Sequence, residues 1–140
     1  MSLCKDNKLA EILRVGFVAL NGGDAKHAAE CCRAAMEIDR DNPEAHFLVG
    51  LVALDMDDMR TAASAFGSVT KLSPNHAAAW AQLARIFMRM GQPARAEQAL
   101  EKATMAGTHD PAVEDLIGVV ASLLGNQPEA KKWYQRAVTK

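Results

Sequence analysis

The sequence predicts an all-α chain built from tandem helical hairpins, and three observations lead there. Small residues return at a fixed spacing: Gly16, Gly50, Ala84 and Gly118 lie 34 residues apart, and so do Ala28, Ala62, Ala96 and Ala130. Apolar residues between these marks keep helical spacing, as Trp80, Leu83, Ala84 and Phe87 do on one face. Helix-ending residues recur in the same phase, as at Gly91-Gln92-Pro93, where Gly suits a left-handed closing conformation and Pro the first turn of the next helix.

One register, without insertion or deletion, divides the chain into units 9–42, 43–76, 77–110 and 111–140. The last is four residues short, and residues 1–8 read as a leader or an extension of the first helix. In the first unit Gly16 is the notch, Gly23 the turn, Asp24 the cap of the second helix, and Ala28, Cys32 and Ala35 its inward face. The second unit opens with Asn42 capping ahead of Pro43, turns at Asp57, caps at Asp58, and buries Ala62, Phe66 and Val69. In the third, Ala96, Ala99, Leu100 and Ala103 face inward after the Gly91 turn. The fourth starts at Asp110-Pro111, turns at Gly125, and carries Ala130, Tyr134 and Ala137. The notches are small because two helix backbones approach there; a larger side chain would cost about 1–3 kcal/mol in strain.

Composition supports close-packed helices: 49% of residues are hydrophobic, yet only 5% are aromatic. A net charge of −1 gives no global attraction for nucleic acid or an anionic membrane. No apolar run approaches the ~18–20 residues that span a bilayer, so no membrane insertion is expected. Met1-Ser2-Leu3-Cys4-Lys5-Asp6 lacks the apolar segment of a secretory signal, which makes a cytoplasmic location the expectation; Met1-Ser2-Leu3 also fits an expression leader. Cys4, Cys31 and Cys32 form no disulfide framework, and adjacent helical positions point about 100° apart, so Cys31 and Cys32 read as small hydrophobes.

Catalytic and metal-binding patterns are missing from the sequence. His27, His46, His76 and His109 fall in different units and build no metal site. Asp55, Asp57 and Asp58 lack the following Gly and distant Glu of a calcium loop, and read as a turn with a cap. Asn21-Gly22-Gly23-Asp24 joins two helices, where a phosphate-cradling loop would follow a strand. Lys131, Lys132, Arg136 and Lys140 give the final helix a basic end, expected as a solvated face. The expectation is a chain that is not an enzyme, with no cofactor and no metal.

The order Trp80, Leu83, Ala84, Phe87, Gly91, Ala96, Leu100, Ala103, with its period of 34, resembles the tetratricopeptide repeat. The resemblance implies a right-handed superhelical solenoid of four helix-turn-helix hairpins over 9–140, with first helices lining a concave groove that takes a partner's peptide or helix. Carried onto this chain, the groove residues are Leu13, Arg14, Phe17 and Leu20, then Phe47, Leu48, Leu51, Leu54 and Asp55. Gln82, Arg85, Met88 and Arg89 follow, and then Asp115, Leu116 and Val119. The first half is apolar and the third unit cationic, a surface suited to an amphipathic helix or a hydrophobic peptide with an acidic end.

Two specialised relatives are disfavoured. Co-chaperone repeats that clamp the acidic termini of heat-shock chaperones use Lys, Asn and Arg where this chain has Leu13, Phe17, Leu48, Ala78 and Gln82. Pentatricopeptide-type RNA reading needs polar base-reading pairs that the groove lacks, so no nucleic acid partner is expected. Trp133, Tyr134, Ala137 and Val138 form an apolar end that either continues into a longer protein or docks on a second copy, giving a homo-oligomer. Asp115-Leu116-Ile117-Gly118-Val119-Val120 resembles arrays joined to sulfotransferase or glycosyltransferase domains, which makes a recognition arm of a larger enzyme the alternative to a stand-alone binding scaffold.

Overall fold

The computed structural model describes the backbone of residues 2–139 and the side chains of residues 7–139; Met1, Lys140 and the Cys4 side chain lie outside the described residues. Within them the chain forms eight helices: α1 (Ser2–Asn21), α2 (Ala25–Ile38), α3 (Pro43–Asp55), α4 (Met59–Leu72), α5 (Ala77–Arg89), α6 (Pro93–Ala106), α7 (Pro111–Leu123) and α8 (Gln127–Val138). They fall into two compact units divided after Leu72. In the first, α1 pairs with α2 and α3 with α4, while α3 also rests on α2 and α1. In the second, α5 pairs with α6 and α7 with α8, and α7 also rests on α5 and α6.

The helix ends follow the expected chemistry. Asp24, Asn42, Asp58 and Asp110 accept from the amides of His27, Ala45, Thr61 and Ala112 at 3.0, 3.1, 3.2 and 3.0 Å. His76 and Asn126 do the same for α5 and α8, accepting from Ala79 and Glu129. Each hairpin turn closes in one way. The left-handed position is Gly23 (φ 87°), Asp57 (φ 59°), Gly91 (φ 72°) and Gly125 (φ 86°) in turn. The next amide reaches back to Ala19, Ala53, Phe87 and Ala121 carbonyls at 2.8–2.9 Å, which satisfies acceptors that a helix end leaves open. Asp57 alone among the described residues takes this conformation with a side chain.

The small-residue notches face protein. A Cβ added at Gly50 would lie 2.7 Å from the Phe66 ring, and one at Gly118 would lie 2.8 Å from the Tyr134 ring. At Gly16 it would meet Leu48 Cδ2 at 2.5 Å and Cys31 Cβ at 3.0 Å. Ala28, Ala62, Ala84 and Ala96 are wholly buried, and Ala130 nearly so. Contact this close between backbones and ring faces is what alanine and glycine allow and bulkier residues forbid.

A second column, His46, Trp80 and Glu114, ties helices to the loops before them. His46 Nε2 donates to the Arg40 carbonyl and Trp80 Nε1 to the Pro74 carbonyl, each at 2.8 Å across six residues. A carboxylate cannot donate, so Glu114 works through Arg136. The Arg136 Nε sits 3.0 Å from the fully buried Glu114 carboxylate, and its Nη2 donates to the Thr108 carbonyl, again six residues before Glu114. Arg136 also lies 4.4 Å over the Trp133 ring. The expected solvated basic face at the end of α8 therefore fails at Arg136, because a buried carboxylate in the first turn of α7 draws it inward.

Candidate binding face

The first helix of each hairpin carries the expected recognition residues, and each unit presents its own set. In the first unit, Phe17, Leu20, Phe47, Leu51 and Leu54 are half-buried, and Arg14 and Asp55 are exposed. Phe17 and Phe47 approach to 6.5 Å between centroids, and Phe47 meets Phe66 edge-on at 5.4 Å. This row of rings links α1, α3 and α4, fixing the face while leaving part of it open.

Three expected surface residues are not surface. Leu48 is wholly buried, because its Cδ2 fills the Gly16 notch on α1. Leu13, 7% exposed, belongs to a core cluster with Leu9, Ala28, Cys32 and Ala35. Trp133, 4% exposed, is closed in by Arg136 and donates its indole N–H to Glu129 at 2.9 Å. Arg14 is exposed but engaged within its own helix, its Nε 3.1 Å from Glu11 Oε2. That bond and the opposite charge raise the Arg14 pKa and lower that of Glu11.

In the second unit, α5 presents Gln82, Arg85 and Met88 half-buried and Arg89 exposed, and the adjoining α7 presents Leu116 and Val119 half-buried and Asp115 exposed. Gln82 Oε1 and Arg85 Nε are shut from solvent without a hydrogen-bond partner. Burial, and then repulsion from Arg89, lowers the Arg85 pKa. At the far end, Tyr134 is half-buried against Gly118 and Ala137 is half-buried, so Val138 is the exposed member of the expected apolar end.

Elsewhere the chemistry is sparse. Cys31 and Cys32 are buried free thiols, and burial pushes the Cys32 pKa up to about 11, which suppresses the nucleophilic thiolate. Among the described residues no three His, Cys, Asp or Glu side chains converge on a metal-sized site, and no helix is long and apolar enough to cross a membrane. An apolar concavity of about 480 Å³ opens between α2, α3 and α4 beside Cys32 and Ala53. Cys32, on its wall, stands where the other hairpins carry the larger Phe66, Leu100 and Tyr134.

Sequence reasoning missed the Glu114–Arg136 pair and the His76 cap. The signal for the first was a charged residue in the phase of Trp80; for the second, a polar residue directly before the Ala77 start of α5.

Residues 53–119 match the family model described as Tetratricopeptide repeat. No curated protein matches the chain. Among solved structures, MamA from Desulfovibrio magneticus is 21% identical with a TM-score of 0.70, the match covering 94% of this chain and 75% of that one. A thermophilic TPR protein of Thermus thermophilus is 18% identical with a TM-score of 0.79, over 94% of this chain and 73% of that one. The O-GlcNAc transferase of Thermobaculum terrenum is 20% identical with a TM-score of 0.80, over 94% of this chain but 26% of the transferase. Residues 53–119, from the second hairpin into the fourth, thus carry the tetratricopeptide repeat, and the solved structures share the fold over nearly the whole chain.

Proposed function

We propose that the chain is a non-catalytic scaffold that binds a peptide or helix of a partner protein on the exposed faces of its first helices. The supporting observation is the half-buried state of Phe17, Leu20, Leu51 and Leu54, side chains that the core of the first unit does not finish covering. Covering apolar surface of this kind is a main driving force for association. The remaining groove residues, Phe47, Asp55, Gln82, Arg85, Met88, Arg89, Asp115, Leu116 and Val119, extend the same reading along α3, α5 and α7. Leu51→Glu with Leu54→Glu tests it, because neither side chain is wholly buried. The double variant should keep its circular dichroism and lose partners captured by the wild type; retention of every partner by the folded variant would sink the reading.

A second reading is supported by the likeness to the O-GlcNAc transferase, of which this chain spans about a quarter. Here the same faces serve as the recognition arm of an enzyme whose catalytic domain follows Lys140. Coding sequence downstream decides it: a stop codon directly after Lys140 removes this reading.

A further inference from the structure

In the first unit the outward column of the first helices is apolar, with Phe17 on α1 and Leu51 on α3; one period on, α5 places Arg85 there. Arg89 follows one turn later and Gln82 precedes it by one turn, so all three share a face. Neither guanidinium enters an ion pair among the described residues, and two like charges at this spacing repel. The Arg85 Nε donor is in addition closed off from water without a partner, an unmet donor of the kind a carboxylate oxygen accepts from. Beside them the apolar Met88 on α5 and Leu116 and Val119 on the adjoining α7 are half-buried.

We propose that Gln82, Arg85 and Arg89 form a docking ridge for an acidic amphipathic helix of a partner protein, its carboxylates on the two guanidiniums and its apolar face over Met88, Leu116 and Val119. This names the partner's chemistry and rests on the reading of the first helices as the binding face. Arg85 and Arg89 are four residues apart, about 6 Å along the axis, the rise that separates two Glu residues at i and i+4 on a facing helix. A carboxylate takes two parallel N–H donors from one guanidinium, so each Arg accommodates one acidic side chain. Nucleic acid is the poorer occupant. The chain holds 16 basic against 17 acidic residues, and the ridge is bordered by apolar side chains where a basic stripe would be required.

The probe is a synthetic fluorescein-labelled amphipathic helix with a Leu face and flanking Glu pairs at i and i+4, beside a twin with Gln for every Glu. By fluorescence anisotropy the wild type should bind the Glu peptide about tenfold more tightly than the Gln twin, with the preference shrinking as salt is added. Arg85→Gln with Arg89→Gln, folded by circular dichroism, should abolish the preference. Equal affinity for the twins, failure to bind either, or displacement of the Glu peptide by a single-stranded oligonucleotide would overturn the acidic ridge. The broader reading fails separately, through partner capture that survives Leu51→Glu and Leu54→Glu.

Discussion

Alanine at Gly50 and alanine at Gly67 should move stability in opposite directions, although both glycines lie inside helices of one hairpin, α3 and α4. Replacing a helix-interior glycine gains about 0.8–1 kcal/mol at either place, because alanine loses less backbone freedom on folding. The difference lies in what the new methyl group meets. At Gly67 an added Cβ finds nothing within 4 Å, so the gain survives whole. At Gly50 it lies 2.7 Å from Cε1 and Cζ of Phe66 and 2.9 Å from Cδ1. That ring has nowhere to withdraw, being wholly buried with Phe47 edge-on at 5.4 Å. Overpacking costs about 1–3 kcal/mol, and contact with three atoms of a confined ring sets the cost near the top. Net changes follow of about 1–2 kcal/mol lost for Gly50→Ala and about 1 kcal/mol gained for Gly67→Ala. Thermal melts by far-UV circular dichroism should part by about 5–10 °C. A Gly50→Ala protein melting at or above Gly67→Ala would refute the notch as a packing constraint.

Asp57→Gly should stabilise by about 0.5–1 kcal/mol, since the other three turns carry glycine at this left-handed position; a Tm at or below wild type counts against strain there. Arg136→Met should cost about 1–3 kcal/mol by removing the ion-pair partner of the buried Glu114 carboxylate, less than a fully enclosed pair because Arg136 is 41% exposed. Adding Glu114→Met should restore much of that loss in urea melts, and a double variant no better than the single would show that the pair is not coupled. The Cys32 pKa, raised by burial from 9.0 to about 11, means the fold favours the protonated thiol. Its contribution is complete below pH 9 and declines as pH rises toward 11, so wild type should lose stability in that window relative to Cys32→Val; parallel curves would contradict this.

Repetition made the fold legible. One mark at one spacing is weak, but Gly16, Gly50, Ala84 and Gly118 constrain one another, and caps at Asn42 and Asp110 announce helix starts through local hydrogen bonding alone. The candidate face was legible by phase and illegible by depth. Leu48 and Leu51 differ by one turn on α3, yet Leu48 fills the Gly16 notch while Leu51 stays half open, and that outcome depends on the neighbouring helix. Arg136 escaped for a related reason. A basic residue at a helix end reads as solvated, and only Glu114, 22 residues earlier and buried in the next helix over, gives it a reason to turn inward.

Columns of the repeat differ in what they hold constant. At 16, 50, 84 and 118 the residue stays small, and at the three glycines Leu48, Phe66 and Tyr134 fill the space a side chain would need. At 46, 80 and 114 the residue changes from His to Trp to Glu, yet the loop carbonyl six residues earlier is bonded each time, with Arg136 supplying the donor that a carboxylate lacks. There the duty is constant and the chemistry free. At 17, 51, 85 and 119 the residue runs Phe, Leu, Arg, Val, and what persists is only its half-buried state. Packing restrains the first column and loop anchoring the second, whereas the third is packed on one side only, so its open side is less constrained by folding. The turn from Phe17 and Leu51 to Arg85 is thus where this column changes from apolar to charged while keeping its half-buried state.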